Sequence, residues 1–221
     1  EGVQLSNKQS HDIYDDFKSD TYNIHFMTPY RNQDVNWVNT TERPGYLRIH
    51  GENSFFSRMN PAIMATRSTS MFYEFQTKVE FQPLHYSETA GMGLYYDSNN
   101  WIYAHLTHSE SVDGIVLKLL QATLGERIEY AHNVIPVPEG VVELKVVYNS
   151  GQADFYYRLD TNMEWKKFVS SIDALYLSDE GVNGEPGEIG GFTGLFKFIG
   201  SVDAHQHKAF ADFEYYSIKN S

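Results

Sequence analysis

The chain has no cysteine. Disulfides, thiolate metal sites and cysteine nucleophiles are therefore excluded. A cysteine-free chain fits a reducing compartment, so the bacterial cytoplasm is the expected location, with secretion left open. Basic residues are few: 17 Lys and Arg stand against 29 Asp and Glu, a net charge of −12. Nucleic-acid binding needs clustered cations to neutralise phosphates, and an anionic membrane surface needs the same, so both are disfavoured. No apolar run approaches the ~20 residues of a membrane-spanning helix. The first ten residues hold no signal-like apolar core. The chain begins at Glu1 without a methionine, and the expectation is a processed chain or a fragment. No segment carries sustained helical periodicity, and no repeat recurs at a fixed period.

What is present is aromatic and strand-forming. Hydrophobic residues make up 41% and aromatics 15%, with 16 Tyr and 14 Phe, enough for a packed core. Tyr and Phe suit pleated, half-buried surfaces. The same rings suit the apolar face of a sugar, although most are expected in the core. In Met71 to Phe81, residues Met71, Tyr73, Phe75, Thr77, Val79 and Phe81 fall on one face. Phe72, Glu74, Gln76, Lys78 and Glu80 fall on the other, the pattern of a long strand with one wet face. Two hairpins are expected, around the turns at 97–100 and 149–152, with further strands over 114–121, 195–199 and 210–218. Residues 1–11 read as a polar lead-in and 12–221 as one domain. The expected fold is all-β, a two-sheet antiparallel β-sandwich. The acidic, Gly-rich stretch 178–188 reads as a long exposed loop.

Chemistry is hard to find. Glycoside hydrolysis needs two carboxylates roughly 5–9.5 Å apart across the bond. A Glu-x-Asp-x-x-Glu strand motif of the kind single-domain sandwich hydrolases present is absent, as is a Gly-x-Ser-x-Gly elbow. Calcium would need several oxygen ligands. Asp15 or Asp16 near the start and Asp212 near the end are the candidates, and a strand-edge hydrogen bond is the plainer role for Asp212. Tyr95, Tyr96, Trp101 and Tyr103 are candidate sugar-stacking rings.

Several segments, taken in order, resemble a known family. They are Asp15-Asp16-Phe17, Arg43-Pro44-Gly45-Tyr46-Leu47-Arg48-Ile49, Ala65-Thr66-Arg67, Phe155-Tyr156-Tyr157-Arg158-Leu159-Asp160 with Glu164-Trp165, Gly191-Phe192-Thr193-Gly194 and Ala211-Asp212-Phe213-Glu214-Tyr215-Tyr216. Together they resemble the C-terminal β-sandwich domain of β-xylosidases and α-L-arabinofuranosidases in glycoside hydrolase family 43. The resemblance implies a concanavalin A-like jelly roll. It implies a partner, the five-bladed catalytic propeller of the same polypeptide or complex, and a xylo- or arabino-oligosaccharide substrate for the whole. No propeller sequence is present. The implied role is a non-catalytic accessory domain, so this chain alone is not expected to be catalytic. The alternative is a carbohydrate-binding module for xylan-type glycans. A homo-oligomer is left open, and no cofactor is required. In such enzymes a loop of this domain helps close the sugar pocket, commonly with a Phe. The matching stretch is 52–61, with Phe55, Phe56, Arg58 and Met59 as candidates, and Met59 stands where the Phe is usual.

Overall fold

A computed structural model describes residues 11–183 and 191–221. Most of the lead-in expected over 1–11, the second half of the acidic loop and Gly190 lie outside the described residues. The strands are β1 (Ile13–Asp15), β2 (Val38–Asn39), β3 (Leu47–His50), β4 (Ala62–Arg67), β5 (Phe72–Phe81), β6 (Glu88–Asp97), β7 (Asn100–Ser109), β8 (Gly114–Thr123), β9 (Glu126–Glu129), β10 (Ile135–Pro136), β11 (Val141–Asn149), β12 (Gln152–Arg158), β13 (Lys166–Asp173), β14 (Phe196–Asp203) and β15 (Phe210–Asn220).

They form two antiparallel sheets. The first runs β13-β12-β11-β5-β15-β3-β2, with β1 added to β15. The second runs β10-β8-β7-β6-β14-β4, with β9 folded onto β8. Neighbouring strands that follow one another are hairpins, as at β6–β7 and β11–β12. Both expected turns are there, at 97–100 and 149–152. The second is tightened by Ser150 and Gly151, both at positive φ.

The alternation in β5 sets the layering. Tyr73, Phe75, Thr77, Val79 and Phe81 are buried between the sheets, while Glu74, Gln76, Lys78 and Glu80 are half-buried on the outside. Met71 departs from the expected pattern: it precedes the strand and is exposed, with no sheet partner to bury it. From the second sheet, Met92, Leu94, Ile102, Ala104, Leu106 and Ile199 complete this central core.

The second sheet is buried on both faces over much of its area. A separate cluster of Phe55, Ile63, Ala65, Tyr95, Trp101, Tyr103, Ala122, Phe198 and Val202 covers its outer face. Gly200 lets it form, because a Cβ there would lie 2.9 Å from the Phe55 ring. The sandwich is thus two layers with an aromatic cap over one of them.

Candidate functional site

The Arg43 to His50 segment is a structural clamp. Arg48 grips Asp212 through Nε at 2.7 Å and Nη2 at 2.8 Å. Arg43 Nη1 donates to Asp212 at 2.9 Å and to Glu80 at 2.7 Å. Tyr46 donates to Glu80 at 3.0 Å. The Arg43 guanidinium lies 3.6 Å from the Tyr46 ring centroid, and Arg48 lies 3.9 Å from that of Phe210. The network ties the turn before β3 to β5 and β15, so the bidentate fork fixes register and leaves no carboxylate oxygen for catalysis.

Glu143 is treated the same way on the outer face of the first sheet. It accepts from Arg158, Tyr215 and Thr161. Burial works to raise its pKa, but hydrogen bonds from Thr161, Arg158 and Tyr215 outweigh burial and lower it. Asp203 is opposed by burial too, yet four backbone N–H groups, from Ala209, Gln206, Lys208 and His205, hold its pKa down to about 2. Among the described residues every carboxyl whose pKa the fold displaces, Asp16, Glu42, Glu143 and Asp203, is displaced downward. A glycosidase acid needs the opposite. These four are fixed anions that hold structure.

The calcium candidates do not gather. Asp15 accepts from the backbone N–H of Phe17 at 2.9 Å and of Asn23 at 2.6 Å. Asp16 pairs with Lys18 at 2.8 Å. Asp212 belongs to the arginine clamp. Among the described residues no group of three or more His, Asp or Glu is placed to hold a metal ion.

The 52–61 loop is anchored at one end and open at the other. Phe55 is buried, its ring centroid 4.9 Å from Tyr103, 5.3 Å from Phe198 and 6.2 Å from Trp101, each edge to face. It is therefore an anchor and not a free pocket wall. Phe56 is half-buried, 4.8 Å from Trp101. Beyond them the chain turns on itself. Asn53 Nδ2 donates to the Met59 carbonyl at 2.8 Å, the Met59 N–H donates to Ser57 Oγ at 2.9 Å, and Asn60 takes φ 48°. Arg58 is exposed, its charge felt by the Tyr95 hydroxyl, and Met59 is 72% exposed at the tip.

A second loop, residues 22–36, lies against it. Met27 bridges to Ala65 through both backbone groups, at 2.7 and 2.9 Å. Arg31 donates to the Asn60 carbonyl at 3.4 Å and pairs with Glu52 at 3.7 Å. The two loops expose the apolar side chains Ile24, Met27, Tyr30, Val35 and Met59. Sequence reasoning missed loop 22–36, because it has neither strand alternation nor a motif.

The four candidate stacking rings need correcting as a set. Tyr96 faces the central core and donates to Asp179, while Tyr95, Trp101 and Tyr103 face outward into the aromatic cap. Their faces pack against other rings, so none offers an open platform. Next to them, however, a groove of about 730 Å³ crosses β7 and β8, walled by Phe56, Trp101, Tyr86 and Tyr130 and reaching His105, Lys118, Arg127 and Glu129.

Comparison with known proteins agrees with this architecture. The family described as "Beta xylosidase C-terminal Concanavalin A-like domain" matches residues 14–219. A Beta-xylosidase of Bacillus subtilis is 30% identical over 212 residues, which is 93% of this chain and 38% of that protein. A Putative beta-xylosidase of Escherichia coli is 30% identical, over 81% of this chain and 33% of that protein. The crystal structure of xylan beta-1,4-xylosidase from Bacillus halodurans superposes with a TM-score of 0.87 at 30% identity, covering 94% of this chain and 39% of that one. This chain thus spans well under half the length of the relatives it matches.

Proposed function

We propose that this chain, which belongs to the family of β-xylosidase C-terminal concanavalin A-like domains, docks on the catalytic propeller of a xylan-degrading glycosidase and helps close its sugar pocket. The observation that carries this reading is the apolar surface that the 22–36 and 52–61 loops expose at Met59, Ile24, Met27, Tyr30 and Val35. It projects from two loops stapled to each other, the 52–61 loop being anchored by Phe55. A rigidly held apolar surface suits a fixed neighbour in the same polypeptide. Met59 at the tip is soft enough to pack on a sugar face without a hydroxyl partner. The downward-shifted carboxyls support a supporting role for the domain, with the reactive pair supplied by the propeller. The cysteine-free sequence supports a reducing bacterial cytoplasm as its compartment.

The test uses the longer polypeptide that joins this chain to a propeller. Met59→Asp places a charge at the loop tip without touching the Phe55 anchor. It is expected to lower kcat/KM on xylobiose about tenfold, some 1.4 kcal/mol of transition-state stabilisation, with thermal unfolding unchanged. An unchanged kcat/KM would remove the loop from the pocket.

A further inference from the structure

The groove across β7 and β8 shares Phe56 with the 52–61 loop but not the exposed Met59 tip, and it holds an acceptor without a protein donor among the described residues. His105 is 6% exposed and lines the groove. Its ring stacks on Tyr103 with centroids 4.7 Å apart at 18°. Nδ1 stands 3.2 Å from the Tyr103 carbonyl. A carbonyl can only accept, so Nδ1 carries the proton and Nε2 is a bare acceptor. Burial lowers the imidazole pKa to about 4, and Lys118 and Arg127 push the same way, so the ring is neutral at ordinary pH. Among the described residues Nε2 has no hydrogen-bond partner.

Nε2 therefore stands open to the groove, where a water or a ligand hydroxyl can donate to it. Lys118 lies directly across from His105 in the β7–β8 ladder. It is half-buried and has no carboxylate partner among the described residues. The groove's carboxylate, Glu129, is taken by Arg127 at 2.6 Å. In a chain of net charge −12, this hollow holds a spare cation. Phe56, Tyr86 and Tyr130 give it aromatic walls, Tyr86 being 63% exposed.

We propose that this groove is an oligosaccharide-binding site in which His105 Nε2 accepts a pyranose hydroxyl and Lys118 Nζ binds an acidic substituent on the sugar. A bare acceptor beside a free ammonium matches a hydroxyl beside a carboxylate. Aromatic walls match the C–H faces of a pyranose, and about 730 Å³ holds a short oligomer. The choice of a xylose backbone as probe rests on the function proposed above; the groove chemistry does not.

Calorimetric titration of the 221-residue chain tests it, with xylotetraose, the same backbone carrying one glucuronic acid, and cellotetraose bearing an oxidised uronic end. The expected result is millimolar binding of neutral xylotetraose and about tenfold tighter binding of an acidic oligosaccharide at low salt. Lys118→Met should erase that acidic preference and keep the neutral affinity. His105→Gln, which retains an acceptor, should bind where His105→Leu does not, with circular dichroism confirming that both are folded. Binding of the acidic gluco-oligosaccharide alone would keep the site and remove the xylan reading. Absence of saturable heat with every probe at 10-fold molar excess in the millimolar range, or an unchanged acidic preference in Lys118→Met, would overturn the proposal.

Discussion

Phe55→Ala is expected to destabilise the domain by about 3–5 kcal/mol. Phe55 is 2% exposed and inserts edge-on among Tyr103, Phe198 and Trp101. Removing it opens a cavity that those rings cannot readily fill, because each is held by its own strand. The loss also frees the 52–61 loop, since Phe55 is its main tie to the sheet. Phe56→Ala is the internal comparison. That ring is half-buried, so the expected cost is about 1–2 kcal/mol. Urea unfolding of the two variants decides the matter. Equal losses, or a smaller loss for Phe55, would mean that the aromatic cap does not anchor the loop.

Lys197→Met is expected to stabilise the domain at pH 7, by about 2 kcal/mol or a rise of roughly 5 °C in Tm. Lys197 is 1% exposed on the inner face of β14. Its Nζ lies 4.5 Å from the Tyr73 ring centroid, and no carboxylate pairs with it among the described residues. Burial lowers its pKa from 10.5 to about 8. At pH 7 the unfolded and folded chains both carry the proton, and the folded one bears the cost of a buried charge, an upper figure of about 3 kcal/mol. Between pH 8 and 10.5 the folded amine loses its proton first, so the native chain gains stability relative to the variant. The advantage of Lys197→Met should therefore shrink across that interval and be nearly gone above it. A variant less stable at pH 7, or a difference independent of pH, would show that the tyrosine face fully compensates the charge.

How much was legible follows from which faces are wet. In β5 the outer face is polar, so period-two alternation is visible and the strand is placed almost to the residue. In β6 and β7 nearly every residue is buried on both faces. The alternation there is of apolar with apolar, and it does not distinguish core from cap. That is why Tyr95, Tyr96, Trp101 and Tyr103 read as one set of stacking rings although Tyr96 faces the opposite way. The Arg43–Asp212 contact joins residues 169 apart, beyond any local pattern. Short strands such as β2 and β10, two residues each, have no period to detect. Loop 22–36 owes its place to Met27 bridging Ala65 and Arg31 reaching Asn60, contacts that no composition signals. His105 was legible as a strand residue, but its bare Nε2 depends on where Nδ1 is held.

The central claim is that this chain supports sugar chemistry performed elsewhere. It is tested most directly by incubating the purified 221-residue chain with p-nitrophenyl β-xyloside and α-L-arabinofuranoside. The account predicts release no faster than the buffer blank, because the carboxyls the fold perturbs are anions held by arginine, lysine or backbone N–H groups. Turnover by the chain alone, retained after removal of trace enzyme by a second chromatographic step, would contradict it.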